Sequence, residues 1–276
     1  MSKSRLGALQ VTLAAVCWSF AGVFSKSLTW NAFTTNGVRS LIAALLLAFA
    51  RGTPKVRLTR GTALGAVGVA LTSLLFMMAN KLTTSANAIV LQYAMPVFVI
   101  LFSWLFYGQK PGARQLVIAA FIMAGVVLCG WDGLSGGNLL GDALALLSAV
   151  TFAMVFFCAR MPGADPRDYS YLGLICCTPF ALFGFFDPAM SANPAHWLIV
   201  LGMGFCLAGG YYFISLSMNN VSPISAALLA NLEPILNPIW VFLFLGERPG
   251  ALTIAGAAIV LVTATIYSLL PAREGE

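Results

Sequence analysis

The sequence predicts an all-α membrane protein, and three observations lead to this fold class. Hydrophobic residues make up 60% of the 276 positions and charged residues only 9%, whereas a soluble domain carries about 25% charged residues. The apolar residues form runs long enough for a helix to cross a ~30 Å hydrocarbon core. A long segment of the chain also occurs twice. A soluble globular domain is excluded, because it could not bury this much apolar surface.

Ten apolar runs with short connections follow one another, and each is long enough to span a bilayer. They cover residues 6–28, 33–50, 61–81, 84–107, 113–131, 139–160, 169–186, 196–217, 222–245 and 251–270. The longest polar connection, 132–138, lies at the centre of the chain, and its glycines indicate a flexible turn. The sequence therefore predicts two halves, 1–134 and 135–276, with five transmembrane helices each.

The two halves share a repeated sequence. Residues 88–120 align without a gap to residues 226–258, and this alignment places Pro96 on Pro234. The turn sequence Gly-x-(Lys/Arg)-Pro-Gly-Ala follows in both copies. Matches of Leu or Ala are common by chance in an apolar chain, but matched prolines and turns are not. We therefore predict that a five-helix unit has been duplicated.

Five helices per unit would insert the two halves in opposite orientations, and the distribution of positive charge agrees. With a cytoplasmic N-terminus, eleven Lys and Arg residues lie on the inner side and three at the outer ends, which is the bias that cytoplasmic loops show. The outer residues are Lys26, Lys81 and Arg248. The sequence thus predicts inverted repeats with both termini in the cytoplasm. Because the basic residues lie in short loops, the net charge of +6 does not indicate a nucleic-acid partner.

Sequence motifs of membrane enzymes are missing. The chain has neither a Walker A loop nor a His-Glu-x-x-His zinc motif, and its single histidine, His196, lies near a predicted membrane boundary. The six cysteines lie in apolar runs without metal-ligand spacing, which is typical of buried free thiols. We therefore predict no catalytic residue, no metal and no cofactor, and a protein that is not an enzyme.

Two charged residues lie inside predicted spans, where ionisable side chains are rare and often functional. Glu233 lies midway along span nine, beside Pro234 and Pro238, and Arg39 lies in span two. Because a proline frees a backbone carbonyl, spans four and nine are predicted to be broken at Pro96, Pro234 and Pro238. Glu233 and Arg39 either bind opposite charges of a substrate or stabilise the fold, for example by pairing with each other. For Arg39, snorkelling to the outer surface is a further alternative.

Polar and aromatic residues accompany these charges at comparable depth. In inverted-repeat transporters, the substrate site lies near the midplane between the repeats, on broken helices. The predicted substrate site therefore contains Glu233, Arg39, Trp18, Ser19, Asn87, Gln92, Tyr93, Tyr212, Asn231 and Trp240. For each aromatic residue, contact with lipid or with the membrane interface is the alternative.

These residues resemble the drug/metabolite transporter superfamily, specifically its EamA-type members. The resemblance rests first on Leu6-Gly7 and Leu140-Gly141-Asp142, which lie in the first helix of each half. It rests also on Glu233-Pro234 and Leu245-Gly246-Glu247-Arg248, near the end of the second half. The first half departs from the pattern, because its turn reads Tyr107-Gly108-Gln109-Lys110 and lacks the acidic residue. The family implies ten spans in two halves and export by alternating access. The mixture of aromatic and charged residues is similar to that of YddG-type exporters of amino acids.

The predicted function is secondary transport: export of amino acids or related small metabolites across a bacterial inner membrane. The predicted partners are a small-molecule substrate and the lipid bilayer, with no nucleic acid and no obligate protein partner. One alternative is a proton-coupled extruder of lipophilic cations, in which Glu233 exchanges a proton for the drug. A passive channel or a scaffold is another. A carrier of nucleotide sugars or phosphate esters is disfavoured, because only Arg39, Lys26 and Lys81 could supply positive charge to the path.

Overall fold

Every element that the structure describes is a helix. The computed structural model describes residues 3–134, 139–246, 248 and 250–269, and no strand occurs in these ranges. The predicted all-α class is therefore confirmed. Within these ranges, seven helical segments are long and apolar enough to cross a membrane: Lys3–Ser27, Ala32–Arg51, Arg60–Leu82, Ser85–Tyr107, Leu139–Cys158, Pro166–Phe186 and Pro194–Ser217. Three shorter apolar helices cover Ala113–Gly125, Glu233–Leu245 and Ala251–Thr263.

The helices are numbered here in chain order. They are α1 (Lys3–Ser19), α2 (Ala21–Ser27), α3 (Ala32–Arg51), α4 (Arg60–Leu82), α5 (Ser85–Gln92), α6 (Met95–Tyr107), α7 (Ala113–Leu134), α8 (Leu139–Cys158), α9 (Pro166–Cys177), α10 (Pro194–Ser217), α11 (Pro223–Leu229), α12 (Glu233–Leu245) and α13 (Ala251–Leu269). Two 3-10 segments, Thr178–Phe186 and Ala230–Leu232, follow α9 and α11.

Two of the predicted spans are interrupted at equivalent places in the repeat. The first interruption lies at Tyr93 and Ala94, between α5 and α6, and the second is the 3-10 turn Ala230–Leu232, between α11 and α12. Pro96 and Pro234 lie in the first turn of the following helices. A proline is tolerated there because its missing N–H would have no partner within the helix.

Pro238 does not interrupt its helix, in contrast to the break expected from the sequence. It lies inside α12, which continues to Leu245. The fixed φ of proline is close to the helical value, so a helix that begins at Glu233 continues through Pro238. Because Pro238 has no backbone N–H, the helix lacks one hydrogen bond, the one that would go to the carbonyl of Pro234.

The repeated turn ends a helix in the same way in both halves. The helices α6 and α12 each contain 13 residues, and they end at Gly108 and Gly246 with left-handed φ angles of 65° and 70°. Glycine is favoured at this position because it has no Cβ to oppose a positive φ. The repeated glycine therefore sets the end of each helix.

Helices of the first half pack on helices of the second, and the contacts occur in pairs. The helices α1 and α3 pack against α10, while α8 and α9 pack against α4. In the repeat, α1, α3 and α4 correspond to α8, α9 and α10. The first set of contacts and the second are therefore equivalent. In a third contact, α7 packs against α13. The interior between the paired contacts contains Arg39, Gln92 and Glu233, three of the polar residues that the sequence placed near the midplane.

The outer surface of the helices is apolar, whereas the interior holds charged side chains. Phe49, Phe185 and Phe186 are 89%, 85% and 85% exposed, but Arg39 and Glu233 are each only 3% exposed. Exposure of apolar area to water is unfavourable by about 25 cal/mol per Å². An exterior of this kind therefore suits contact with lipid.

Candidate functional site

A cavity of about 40 Å³ lies between the two halves, at the level of the interrupted helices. Its charged lining residues are Arg39 and Glu233, and its polar ones are Thr72, Ser73 and Gln92. Its apolar and aromatic lining residues are Trp18, Ala21, Phe76, Phe152, Leu207 and Tyr211. The volume holds a few water molecules at most, so the structure represents a closed conformation of this site.

Glu233 is buried at the start of α12. The hydroxyl of Tyr93 lies 2.7 Å from Glu233 Oε2. No ion pair in the described part of the chain includes Glu233. The N-terminus of a helix carries a partial positive charge that favours a nearby anion, but no cationic side chain among the described residues forms an ion pair with this carboxyl group.

Arg39 is buried on α3 and is held by a single nitrogen. Its Nη2 donates to Asn36 Oδ1 at 3.1 Å, to Ser73 O at 2.9 Å and to Ser73 Oγ at 3.0 Å. Its Nε has no hydrogen-bond partner. The pairing with Glu233 that the sequence left open does not form, although both residues line one cavity. Arg39 also lines a smaller cavity of about 20 Å³, beside Cys17 and Cys206.

Tyr93 joins the two interrupted helices. It lies in the interruption between α5 and α6, and its hydroxyl is 2.7 Å from the carbonyl oxygen of Ala230, in the 3-10 turn before α12. The preceding residue, Gln92, donates from Nε2 to Ser148 Oγ at 3.0 Å and lines the cavity. The site therefore brings together one interruption from each half.

Aromatic rings form one wall of the cavity. Trp18 contacts Phe152 and Tyr211 edge to face, with ring centroids 5.3 and 5.4 Å apart. A Cβ at Gly210 would overlap the indole nitrogen of Trp18, so this glycine leaves the space that the indole occupies. Thr72, Ser73 and Phe76 of α4 complete the lining and were not among the predicted site residues. The adjacent hydroxyl residues Thr72 and Ser73 in the middle of an apolar run are a signal that could have identified this part of the lining, whereas nothing in the sequence marks Phe76.

Several predicted site residues lie away from this cavity. Trp240 donates from Nε1 to Ser19 Oγ at 3.1 Å and stacks on Phe20 at 5.2 Å. Asn87 accepts a hydrogen bond of 3.0 Å from Thr253 Oγ1 of α13. Tyr212 contacts Phe213, while its neighbour Tyr211 lines the cavity. The side chain of Asn231 lies outside the described part of the structure.

Comparisons with known proteins identify relatives of the chain. The sequence model of the EamA-like transporter family matches residues 5–131 and again residues 139–269. The pseudopaline exporter CntI of Pseudomonas aeruginosa (strain UCBPP-PA14) is 27% identical over 188 residues, which are 66% of this chain and 66% of that protein, slightly less than two thirds of its length. An uncharacterized transporter of Archaeoglobus fulgidus is 27% identical over 277 residues, or 94% of this chain and 96% of the relative. A solved crystal structure with 18% identity has a TM-score of 0.72 and covers 98% of this chain and 100% of that one, so the fold is shared.

Proposed function

The chain belongs to the EamA-like transporter family, and we propose that it exports amino acids or related small metabolites by alternating access. A member of this family is a multi-pass integral membrane protein and a transporter rather than an enzyme. The observation that carries this proposal is the placement of Arg39 and Glu233. Both are buried and line one cavity, yet they do not pair with each other. They are available to bind opposite charges of one substrate.

The charges and walls of the cavity suit an amino acid. A buried charge without a partner is unfavourable by several kcal/mol, so a ligand that carries both an ammonium and a carboxylate group would be stabilised at both ends. Glu233 would bind the ammonium group and Arg39 the carboxylate. The rings of Trp18, Phe152 and Tyr211 would contact an apolar or aromatic side chain, as in the YddG-type exporters that the sequence resembles.

The architecture that we propose for transport has ten spans in two inverted halves, 1–134 and 135–276, with both termini in the cytoplasm of a bacterial cell and the protein in its inner membrane. Three observations support it. In the described residues, seven helical segments are long and apolar enough to cross a membrane and three more apolar helices are shorter, the family model matches once in each half, and the contacts between helices occur in exchangeable pairs. Rocking of the halves would open the closed cavity to each side in turn.

The direction of transport is proposed from a relative. The similar protein of Pseudomonas aeruginosa is named an exporter of pseudopaline, which supports export here but leaves the substrate to be measured. The alternative is an extruder of lipophilic cations. It is favoured by the absence of a cationic partner for Glu233 among the described ion pairs, but Arg39 in the same cavity would repel a cation.

Counterflow in proteoliposomes tests the proposal. Vesicles loaded with unlabelled phenylalanine should accumulate labelled phenylalanine, and the rate should saturate with concentration. Glu233→Gln and Arg39→Gln should lower this rate, whereas Arg160→Gln, at an exposed position that contacts Gln109, should not. Saturable exchange of quaternary ammonium compounds but of no amino acid would support the cation extruder. Flux that does not saturate would indicate a channel.

A further inference from the structure

A second polar cavity lies at the end of the protein where α3 ends and α9 begins. Its volume is about 400 Å³, within the range of ligand pockets, about 300–1,000 Å³. Two other described cavities of similar volume, about 420 and 380 Å³, have apolar linings with one threonine each. Six residues that line this cavity are instead charged: Arg51, Lys55, Arg57, Asp165, Arg167 and Asp168.

Buried charges from both halves fix the shape of this basic cavity. Arg51 and Asp168 form an ion pair, and their side chains are 7% and 12% exposed. Arg51 Nη2 also donates to the carbonyl oxygen of Lys55 at 2.8 Å, and its guanidinium group lies 4.6 Å from the ring centre of Tyr171. The other carboxylate oxygen of Asp168 accepts from the backbone N–H of Arg57 at 2.9 Å. The loop after α3 is therefore held against α9.

The second carboxylate of the basic cavity is also paired, and two cations remain. Asp165 accepts hydrogen bonds from the Arg167 backbone at 2.8 Å and from its side chain at 3.2 Å. Lys55 and Arg57 are exposed, and no ion pair in the described part of the chain includes either side chain. Four basic and two acidic side chains give the lining a net charge of +2. The basic cavity therefore suits an anion.

Basic residues in the loops at one end of a membrane protein are also expected from topology alone. That bias accounts for the presence of Lys55 and Arg57. It does not require that they line one cavity, that a buried ion pair holds their loop in place, or that both halves contribute. Lys110 and Arg160 are exposed basic residues of other loops and do not line this cavity, so the bias and the cavity are separate features.

Neighbouring residues place the basic cavity at the boundary between lipid and water. Leu58 follows Arg57 and is 73% exposed, and Phe49, near the end of α3, is 89% exposed. Apolar surface of this kind suits contact with lipid tails, whereas the exposed cations Lys55 and Arg57 require water or polar headgroups. The phosphate groups of phospholipids lie at the same boundary, so they are the anions nearest to the cavity.

We propose that the basic cavity binds the headgroup of an anionic phospholipid, with Lys55 and Arg57 in contact with its phosphate group. The fork of a guanidinium group binds two phosphate oxygens, and a lysine ammonium adds a point charge. Basic pockets between transmembrane helices are a general form of site for such headgroups. Because the walls come from both halves, a bound headgroup favours the conformation in which the halves meet as they do here.

Binding can be measured on delipidated protein in a neutral detergent, by native mass spectrometry with phosphatidylglycerol as the probe. Wild type should bind phosphatidylglycerol more tightly than phosphatidylcholine. Lys55→Gln combined with Arg57→Gln should weaken the binding of phosphatidylglycerol roughly 30-fold, the effect of two basic residues beside anionic lipid. Arg51 is not substituted, because its loss would leave Asp168 buried without a cation and destabilise the loop.

The matched control is Lys110→Gln combined with Arg160→Gln. It removes the same charge from exposed positions outside the basic cavity, so it should bind phosphatidylglycerol as wild type does. If both double variants lose affinity equally, the attraction is a general effect of net charge and the proposed site is wrong. Equal affinity of wild type for the two lipids would also refute it.

The unfolding temperature gives a second measurement. A ligand that binds only the folded state raises this temperature, so phosphatidylglycerol in mixed micelles should raise it for wild type and for the control. The rise should be smaller for the Lys55 and Arg57 double variant. It should also shrink when salt is added, because salt screens exposed charges. A rise that is equal in all three proteins and independent of salt would contradict the assigned contacts.

Inorganic phosphate distinguishes a lipid from a soluble anion. At the concentration of the lipid it should neither displace phosphatidylglycerol nor raise the unfolding temperature, because it has no acyl chains to add apolar contact. If it binds as tightly as phosphatidylglycerol and depends on Lys55 and Arg57, the basic cavity is a site for a soluble anion and the lipid assignment is wrong. None of these measurements involves transport, so this inference and the proposed function fail independently.

Discussion

Gly7 and Gly141 hold equivalent positions in the two halves, and at each of them a helix of one half touches the chain at or just after the end of a helix of the other. A Cβ at Gly7 would lie 2.7 Å from Val221 Cγ1, and a Cβ at Gly141 would lie 2.9 Å from Thr83 N. In the inverted arrangement proposed for the two halves, these contacts lie at opposite ends of the path. Each is therefore a candidate point of closure.

Valine at either glycine should impair transport. Gly7→Val and Gly141→Val are expected to lower counterflow roughly tenfold or more, because closure of one end then requires an overlap that packed helices do not absorb. Gly112→Val is the matched control, since a Cβ at Gly112 meets nothing within 4 Å. Counterflow at the wild-type rate by both variants would show that these contacts do not take part in closure.

Substitution of Arg39 should discriminate between substrates. If Arg39 binds the carboxylate, Arg39→Gln should weaken counterflow of phenylalanine by about 10- to 100-fold, as expected for one hydrogen bond to a charged group. Phenethylamine has no carboxylate, so its competition with phenylalanine for the wild-type protein should be weak and should improve in the variant. Equal losses for both compounds would instead assign Arg39 to the stability of α3 and α4, which its bonds to Ser73 connect.

The packing of the Trp18 indole should depend on the absence of a side chain at Gly210. A Cβ at Gly210 would overlap the ring, whereas a Cβ at Gly209 would lie 2.9 Å from the Cys17 sulfur, a single atom that can shift. Gly210→Ala is therefore expected to destabilise the protein by about 1–3 kcal/mol and to lower its unfolding temperature in detergent. Gly209→Ala should lower it less. The reverse order would contradict the assigned packing.

The loop before α9 should give stability that depends on pH. Burial raises the pKa of Asp165, but the hydrogen bonds that its carboxylate accepts from the Arg167 side chain and backbone lower it more, so its pKa lies below the ordinary value. A depressed pKa stabilises the fold above the pKa of the unfolded state, about 4, and this contribution is lost as pH falls through the folded value. The unfolding temperature of wild type should therefore fall more steeply below about pH 4 than that of Asp165→Asn. Parallel curves would contradict this role.

Local sequence was enough to predict where helices form and that the fourth and ninth runs are interrupted, but not the interruption at Phe20 between α1 and α2 or the 3-10 segment Thr178–Phe186. Runs of apolar residues set where helices form in lipid, and Pro96 and Pro234 each lie in the first turn of a new helix because their missing N–H groups have no partner to lose there. Pro238 shows where this reasoning stops. A proline in sequence does not distinguish a break from a helix with one bond fewer, and the start of α12 at Glu233 determined the outcome.

The sequence by itself determined the all-helical class, the membrane as solvent and the transporter family, because these follow from composition, run length and repeated motifs. Only the tertiary structure decided which polar groups meet. Adjacent residues on a helix point about 100° apart, so packing places Tyr211 and not Tyr212 at the cavity, and it joins Glu233 to Tyr93 and not to Arg39. The rotation of each helix about its own axis is set by contacts between halves far apart in sequence, and the linear order of residues does not contain it.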